Sequence, residues 1–161
     1  MSQELRLTIE IVPKPLWGVS LYKNMRRSAW KKLREQVKDQ HNNRCGICQV
    51  GNVTLYCHEI WQYDDIAHIQ KLNGFIMLCE MCNHCKHIGR AGLVANEGKL
   101  DFNIMVEHFM HVNQCSYEEY EAHRKEAFKT WRERNKHAWT TDFGACAHLV
   151  PPSNEVNNSV L

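Results

Sequence analysis

Two Cys-x-x-Cys pairs constrain the fold of this 161-residue chain more than any other feature. The first pair is Cys45 and Cys48, the second is Cys79 and Cys82, and 30 residues separate them. A two-residue gap lets both sulfurs of a turn face one ion, and two such turns complete a tetrahedron of thiolates. Zn²⁺ is the natural ion for four soft ligands in a reducing compartment. We therefore expect a structural zinc site worth about 10–16 kcal/mol of folding energy.

The composition is that of one soluble domain. Lys and Arg number 20 against 18 Asp and Glu, so a net charge of +2 neither requires nor excludes nucleic acid as a partner. The first twelve residues lack the apolar core of a signal peptide, and no apolar run is long enough to span a membrane. We therefore expect a cytoplasmic protein without a membrane partner, in which eight cysteines do not form disulfides. Two redox pairs, or buried cysteines, are the alternative to zinc; Cys115 and Cys146 are expected to be ordinary small apolar residues.

Periodicity predicts an α+β fold. Alternating apolar residues predict a strand over 5–12, and a high content of β-branched and aromatic residues predicts a strand over 53–61. Asp64-Asp65 predicts a short helix to about Leu72 that Gly74 ends. Ser28 is the expected N-cap of a basic helix with Trp30 on its apolar side.

Further helices are predicted from Asp101 and from Ser116, where Glu119 completes a capping box and the helix runs to roughly Lys136. We expect a single domain over 1–150, with a zinc nucleus at about 44–90 and a helical extension at about 101–137. The polar tail over 151–161 begins with two prolines and is expected to be disordered.

Two short segments next to the cysteine pairs carry the candidate chemistry. Tyr56-Cys57-His58-Glu59-Ile60-Trp61 lies between the pairs, and Asn83-His84-Cys85-Lys86-His87 follows the second pair directly. Over residues 44–90 this order of cysteine pair, strand histidine, cysteine pair, Asn and His resembles the HNH endonuclease family. The resemblance implies a treble-clef or ββα-metal nucleus around the zinc, with flanking helices. It also implies metal-dependent hydrolysis of phosphodiester bonds in nucleic acid.

The resemblance implies a role for each matching residue. His58 corresponds to the general base, because a neutral imidazole titrates near working pH. Asn83 corresponds to the ligand of a catalytic Mg²⁺ or Mn²⁺, and His87, one turn later, is expected to contact that ion or a phosphate. Small proteins of this kind are often encoded by phages and other mobile elements.

Nucleic acid, with DNA as the first expectation, would contact cations near this site. Arg44, Lys86 and Arg90 flank it, and the cluster of Arg26, Arg27, Lys31, Lys32 and Arg34 would extend the track. The helix from Ser116 carries mixed charge, which favours a solvated face over a phosphate-binding one.

Two positions differ from the family pattern. Cys57 stands where the family usually has an Asp before the base histidine, and Gly74 stands where it has its middle Asn, with Asn73 one residue away. We expect Asp64 or Asp65 to supply the missing carboxylate in preference to Glu59, because strand alternation points Glu59 away from His58.

Other interpretations remain open. One is a second zinc site built from Cys57, His84, Cys85 and His87. Another is a catalytically impaired zinc module that binds nucleic acid or a partner protein.

Overall fold

A computed structural model describes residues 4–151. A long antiparallel hairpin, β1 (Leu55–Asp64) and β2 (Ile69–Cys79), forms the centre, and β3 (Thr140–Asp142) pairs in parallel with the start of β2. Six α-helices surround it: α1 (Leu21–Asn24), α2 (Arg27–Gln40), α3 (Glu80–Lys86), α4 (Ile88–Asn96), α5 (Phe102–Asn113) and α6 (Tyr117–Arg134). Short 3-10 helices cover Lys14–Leu16 and Gly144–Leu149. The predicted α+β class is confirmed, whereas most of the predicted tail lies outside the described residues.

The helix predicted from Asp64 to about Leu72 is wrong, because these residues turn and start β2. Asp64 Oδ1 accepts hydrogen bonds from the backbone N–H groups of Ile66 (3.0 Å) and Ala67 (2.9 Å). An Asp that bonds to the backbone just ahead of it favours a tight turn as readily as a helix N-cap, and here the turn forms. A strand forms where one was predicted over 53–61, although it begins at Leu55 and runs on to Asp64.

Gly74 marks a β-bulge and does not end a helix. Ile60 pairs with Gly74 while Trp61 pairs with Leu72, so Asn73 is the extra residue on β2. Gly74 has φ +153°, a backbone conformation that residues other than glycine rarely adopt. Asn73 is exposed at this bulge.

The strand predicted over 5–12 is also wrong, although its burial pattern is right. Leu7 and Ile9 are buried, as alternation predicts. The backbone of this segment bonds to helices instead of a neighbouring strand. The Leu7 N–H donates to Asn113 Oδ1 at 2.9 Å, the Ile9 N–H donates to His123 Nε2 at 2.9 Å, and the Glu10 N–H donates to the Lys86 carbonyl at 3.2 Å. Helices α3, α5 and α6 therefore replace the strand partner that a sheet would provide.

Helix starts were predicted better than strand partners. Asp101 accepts hydrogen bonds from the N–H groups of Asn103 and Ile104 at the start of α5, and Ser116 with Glu119 forms the predicted capping box of α6. Helix α6 ends at Arg134, and α2 begins at Arg27, with Arg26 and not Ser28 as its N-cap residue.

The hairpin separates two packed layers. On one face Trp30 of α2 packs edge-on against Phe75 of β2 at 6.4 Å between ring centroids, and the Tyr22 N–H donates to Glu59 Oε1. Successive strand side chains alternate between faces, so His58 points to the other side, where helix α3 packs. There the core includes the fully buried side chains of Leu7, Leu78, Met105 and Phe109. Across residues 4–151, no helix is both long and apolar enough to cross a membrane.

Candidate metal centre and histidine site

The four cysteines of the two pairs gather into one cluster, as predicted. Their sulfurs all lie within 4.8 Å of one another, and Cys48 Sγ is 3.6 Å from Cys79 Sγ. Cys45, Cys79 and Cys82 are buried and Cys48 is half-buried. All eight cysteines are free thiols. Four convergent thiols are the donor set of a closed, structural zinc site, and two separate redox pairs would not share one centre.

Local backbone structure explains how the two pairs meet. The first pair lies in a turn in which the Cys45 N–H donates to the Val50 carbonyl at 2.9 Å. The Gly46 N–H donates to the Met77 carbonyl at 2.7 Å, which ties this turn to β2. Cys79 is the last residue of β2 and the N-cap of α3, where its sulfur accepts the Cys82 N–H at 3.5 Å.

The close approach at Gly46 requires glycine. A Cβ built at this position would lie 2.6 Å from Ile76 Cγ1 and 3.0 Å from His41 Cε1. Both distances are shorter than ordinary van der Waals contacts, so a larger residue would force the Ile76 side chain or the turn to shift.

The crowded thiols perturb one another electrostatically. Hydrogen bonds from the Cys79 and Cys82 thiols lower the pKa of Cys45, and the same hydrogen bond to Cys45 raises the pKa of Cys79 to about 12. The Cys45 thiolate is thus stabilised, while Cys79 holds its proton more strongly. A bound zinc ion would replace these shared protons and hold all four sulfurs as thiolates.

His108 of α5 contacts this centre, although no sequence motif predicts a role for it. Its Nε2 lies 3.2 Å from Cys82 Sγ, within hydrogen-bond distance of a ligand sulfur. Such outer contacts orient metal ligands and tune their charge. No cysteine-pair motif includes His108, and only the packing of α5 against α3 brings it close.

A second polar site is built around His58, which is only 8% exposed on β1. His58 Nδ1 lies 3.1 Å from His87 Nε2, so the structure brings together two of the three predicted catalytic residues. His58 Nε2 lies 3.4 Å from Glu10 Oε2, and Glu10 Oε1 accepts from Lys86 Nζ at 2.9 Å. The resulting chain of contacts runs from Lys86 through Glu10 and His58 to His87.

The charge states in this chain follow from its contacts. Burial raises the pKa of Glu10, but hydrogen bonds from His58 and the Lys86 ammonium outweigh it and hold that pKa at about 2. Burial and the neighbouring His58 lower the pKa of His87 to about 4. At neutral pH, Glu10 is therefore a carboxylate and His87 is a neutral imidazole.

The charge state of Glu10 fixes the direction of one hydrogen bond. An ionised carboxylate can only accept, so His58 Nε2 carries a proton and donates it to Glu10. Between His58 Nδ1 and His87 Nε2, the direction of the hydrogen bond depends on which ring nitrogens carry protons.

Neither Asp64 nor Asp65 supplies a carboxylate beside His58, so that prediction is wrong. Asp64 caps the hairpin turn, and Asp65 Oδ1 accepts from Arg134 Nε at 2.7 Å, so both are engaged elsewhere. Glu59 points to the opposite face, as alternation predicted. The carboxylate that contacts His58 is Glu10, which comes from the N-terminal segment. The polar face that it shares with Thr8 was the only sequence signal, and it carried no link to His58.

The other predicted residues fall into three environments. The carbonyl of Asn83 accepts the backbone N–H of His87 at 3.0 Å, which places the two residues one turn apart at the end of α3. Lys86, predicted to contact nucleic acid, is 6% exposed and donates to Glu10 and Thr8, so that prediction is wrong. Arg44 and Arg90 are exposed, as a contact with a substrate requires.

The second zinc site is not formed. Cys85 is buried, and its thiol contacts the Met105 carbonyl at 3.6 Å. His84 Nε2 lies 3.7 Å from Glu80 Oε1. Cys57 lies on the opposite face of the hairpin from His58. Burial raises the pKa of Cys57 to about 11 and that of Cys85 to about 12. In the described part of the chain, the four-cysteine centre is the only group of three or more His, Cys, Asp or Glu side chains placed to share an ion.

Compared with protein-family models, curated proteins and solved structures, the chain shows no match.

Proposed function

We propose that this protein is a metal-dependent endonuclease of the HNH type, which hydrolyses phosphodiester bonds in nucleic acid on a treble-clef nucleus. The observation that supports the proposal is the 3.1 Å contact between His58 Nδ1 and His87 Nε2. This contact joins the strand that follows the first cysteine pair to the helix that follows the second. The order of elements is the one that the resemblance to the family implies.

In this proposal His58 is the general base. Glu10 holds the Nε2–H of His58, which leaves Nδ1 as the basic nitrogen and stabilises the imidazolium that forms when it takes a proton. A water molecule attacks the phosphorus while its proton passes to Nδ1, and the bond from phosphorus to the leaving oxygen breaks. His87 has to turn away from Nδ1 for this step; it lies at the junction between α3 and α4, as the C-cap of one helix and the N-cap of the next.

The donor groups suit two different ions. The four cysteines suit structural zinc. The second ion would be held by Asn83 and His87, whose amide oxygen and imidazole fit Mn²⁺ better than Mg²⁺. When bound, such an ion supplies charge neutralisation at the phosphate and the leaving oxygen. Cys57 adds nothing to this set, because it lies on the other face of the hairpin.

A second candidate function is a zinc-stabilised module that binds nucleic acid or a protein without cleaving it. Both ring nitrogens of His58 are engaged, and its ring is almost fully buried. The carboxylate nearest to His58 is held by Lys86 and does not face an ion site. These observations favour a protein that keeps the scaffold and the zinc site but has no catalytic activity.

The test is hydrolysis by zinc-loaded protein of plasmid DNA, single-stranded DNA and RNA, with Mn²⁺ or Mg²⁺ added. We expect cleavage that is faster in Mn²⁺ and that falls by at least about 10²-fold in His58→Ala, the usual contribution of a general base. His111→Ala is the matched control, because His111 is exposed on α5.

Three outcomes decide between the candidates. Cleavage lost in His58→Ala and kept in His111→Ala supports the nuclease. Cleavage that survives in His58→Ala shows that the proposed base is wrong. Binding to nucleic acid without turnover in either metal ion supports the binding module.

A further inference from the structure

Helix α2 carries an unbalanced positive charge. It holds five cations, Arg27, Lys31, Lys32, Arg34 and Lys38, against only two carboxylates, Glu35 and Asp39. Its net charge of +3 exceeds the +2 of the whole chain. One surface of a nearly neutral protein is therefore distinctly basic.

Four of these cations fall on one side of the helix. Arg27, Lys31, Arg34 and Lys38 stand at positions i, i+4, i+7 and i+11, which share a face of an α-helix. Successive members are about 4.5–6 Å apart along the helix axis, given a rise of 1.5 Å per residue. Arg27 and Lys31 are exposed, while Arg34 and Lys38 are half-buried. We call these four residues the α2 stripe.

The α2 stripe has no carboxylate partner among residues 4–151. None of its four members forms an ion pair there, even though Glu35 stands one turn after Lys31. Helices usually neutralise exposed cations with i,i+3 or i,i+4 pairs. The stripe therefore presents uncompensated charge to whatever approaches it.

Helix α6 provides the contrast within the same molecule. It also carries five Lys and Arg, but five Glu balance them. Arg124 pairs with Glu121, Lys129 with Glu126, and Arg134 with Asp65. The balanced charge of α6 agrees with the prediction of a solvated face, whereas α2 carries a net positive charge.

An aromatic surface adjoins the start of the stripe. Tyr22 of α1 is 56% exposed, and its ring lies 5.3 Å from that of Trp30 on α2. Aromatic rings beside cations are the usual means of holding a nucleic-acid strand, because bases stack on the rings while the cations contact phosphates. At the far end of α2, a short turn leads to the exposed Arg44 and the zinc centre.

We propose that the α2 stripe binds the phosphate backbone of a nucleic-acid strand, with Tyr22 as a stacking surface for a base. The inference deepens the proposed function by naming the surface that holds the substrate. It stands equally if the protein only binds, because nothing in it requires hydrolysis. Contacts of this kind carry no sequence preference.

The test compares two triple variants that remove the same charge. Arg27→Gln/Lys31→Gln/Lys38→Gln removes three cations of the stripe, and Lys99→Gln/Lys129→Gln/Lys136→Gln removes three exposed cations that are already paired with carboxylates. Binding is measured by fluorescence anisotropy of a short labelled oligonucleotide, single-stranded or duplex, in zinc-loaded protein without Mg²⁺ or Mn²⁺. The salt concentration is varied between about 50 and 200 mM.

We expect the stripe variant to lose at least about tenfold in affinity. The slope of log affinity against log salt concentration should become shallower by about 2–3, because three phosphate contacts are lost. The paired-lysine variant should keep the wild-type salt slope. Equal losses in both variants would show that net charge alone governs binding, and unchanged binding in the stripe variant would also overturn the inference. Tyr22→Ala should weaken single-stranded binding a few-fold, and unchanged affinity would exclude the stacking role.

Hydrolysis assays separate this inference from the proposed function. A protein that binds through the stripe but cleaves neither DNA nor RNA would refute the nuclease and support the stripe. If the protein cleaves nucleic acid and the stripe variant binds and cleaves as the wild type does, the nuclease is supported and the stripe is refuted.

Discussion

Asn113 and Leu7 form a two-way hydrogen-bonded pair across 106 residues of sequence: the Leu7 N–H donates to Asn113 Oδ1 at 2.9 Å, and Asn113 Nδ2 donates to the Leu7 carbonyl at 2.8 Å. Asn113 is only 4% exposed. The buried Asn113 amide therefore gives the N-terminal segment the pair of hydrogen bonds that a neighbouring strand would give it in a sheet.

Asn113→Ala should destabilise the protein by about 2–3 kcal/mol, because it leaves a buried N–H and a buried carbonyl of Leu7 without partners. Chemical denaturation with zinc bound measures the change. Asn103→Ala, an exposed position of the same helix, is the control and should stay within about 0.5 kcal/mol. Equal stability of the two variants would contradict the bridging role.

The four-cysteine cluster predicts one bound Zn²⁺ per chain. Cys82→Ser should abolish retention of the ion and cost most of the folding stability, because binding at such centres is worth about 10–16 kcal/mol. Cys146→Ser is the matched control, since this cysteine lies outside the cluster. Elemental analysis and circular dichroism report the two effects, and a folded, zinc-free Cys82→Ser protein would refute the structural role of the ion.

His108→Phe should keep the fold and weaken the hold on zinc. Loss of the contact between His108 Nε2 and Cys82 Sγ removes a partner of one ligand, and such losses typically cost about 10–100-fold in metal affinity. Competition with a chromogenic chelator measures the change, and His111→Phe in the same helix provides the comparison. Equal zinc affinity in both variants would mean that the His108 contact is incidental.

Acid should destabilise the protein in two successive windows. His87 has a pKa of about 4 in the fold and 6.5 as its ordinary value, so between these values the unfolded chain takes up a proton that the folded chain refuses. Its contribution is therefore present above pH 6.5 and lost as the pH falls to 4. Glu10, with its pKa lowered from 4.5 to about 2, loses its contribution below that range.

The variant that checks the upper window is His87→Gln. It should flatten the loss of stability between pH 6.5 and 4 relative to the wild type, measured by denaturation with zinc occupancy recorded in parallel. His111→Gln should reproduce the wild-type curve. Identical slopes in all three proteins would contradict the lowered pKa of His87.

Local sequence signals were enough for the parts of the fold that depend on neighbours in the chain. Asp101 and Ser116 cap their helices through hydrogen bonds to residues no more than three positions away. The spacing of the two cysteine pairs was enough to predict that the four cysteines form one cluster. Asp64 shows the limit of such signals, because the same carboxylate can begin a helix or close a hairpin turn.

Partners that are distant in sequence were beyond the reach of pattern reasoning. Glu10 contacts Lys86 and His58 only because the N-terminal segment crosses the end of α3, and periodicity does not tell where an extended segment will lie. His108 reaches Cys82 through the packing of two helices, which no spacing rule encodes. The same reasoning that found the cysteines therefore placed the missing carboxylate on the wrong residues.

The N-terminal segment also bears on how the molecule assembles. Glu10 meets Lys86 across 76 residues, Leu7 meets Asn113 across 106, and Ile9 meets His123 across 114. A ribosome makes these first residues long before their partners exist, so His58 acquires its neighbouring carboxylate only when the segment can dock on the helices that follow. Contacts this far apart in sequence slow folding, and the histidine site should be among the last parts of the protein to form.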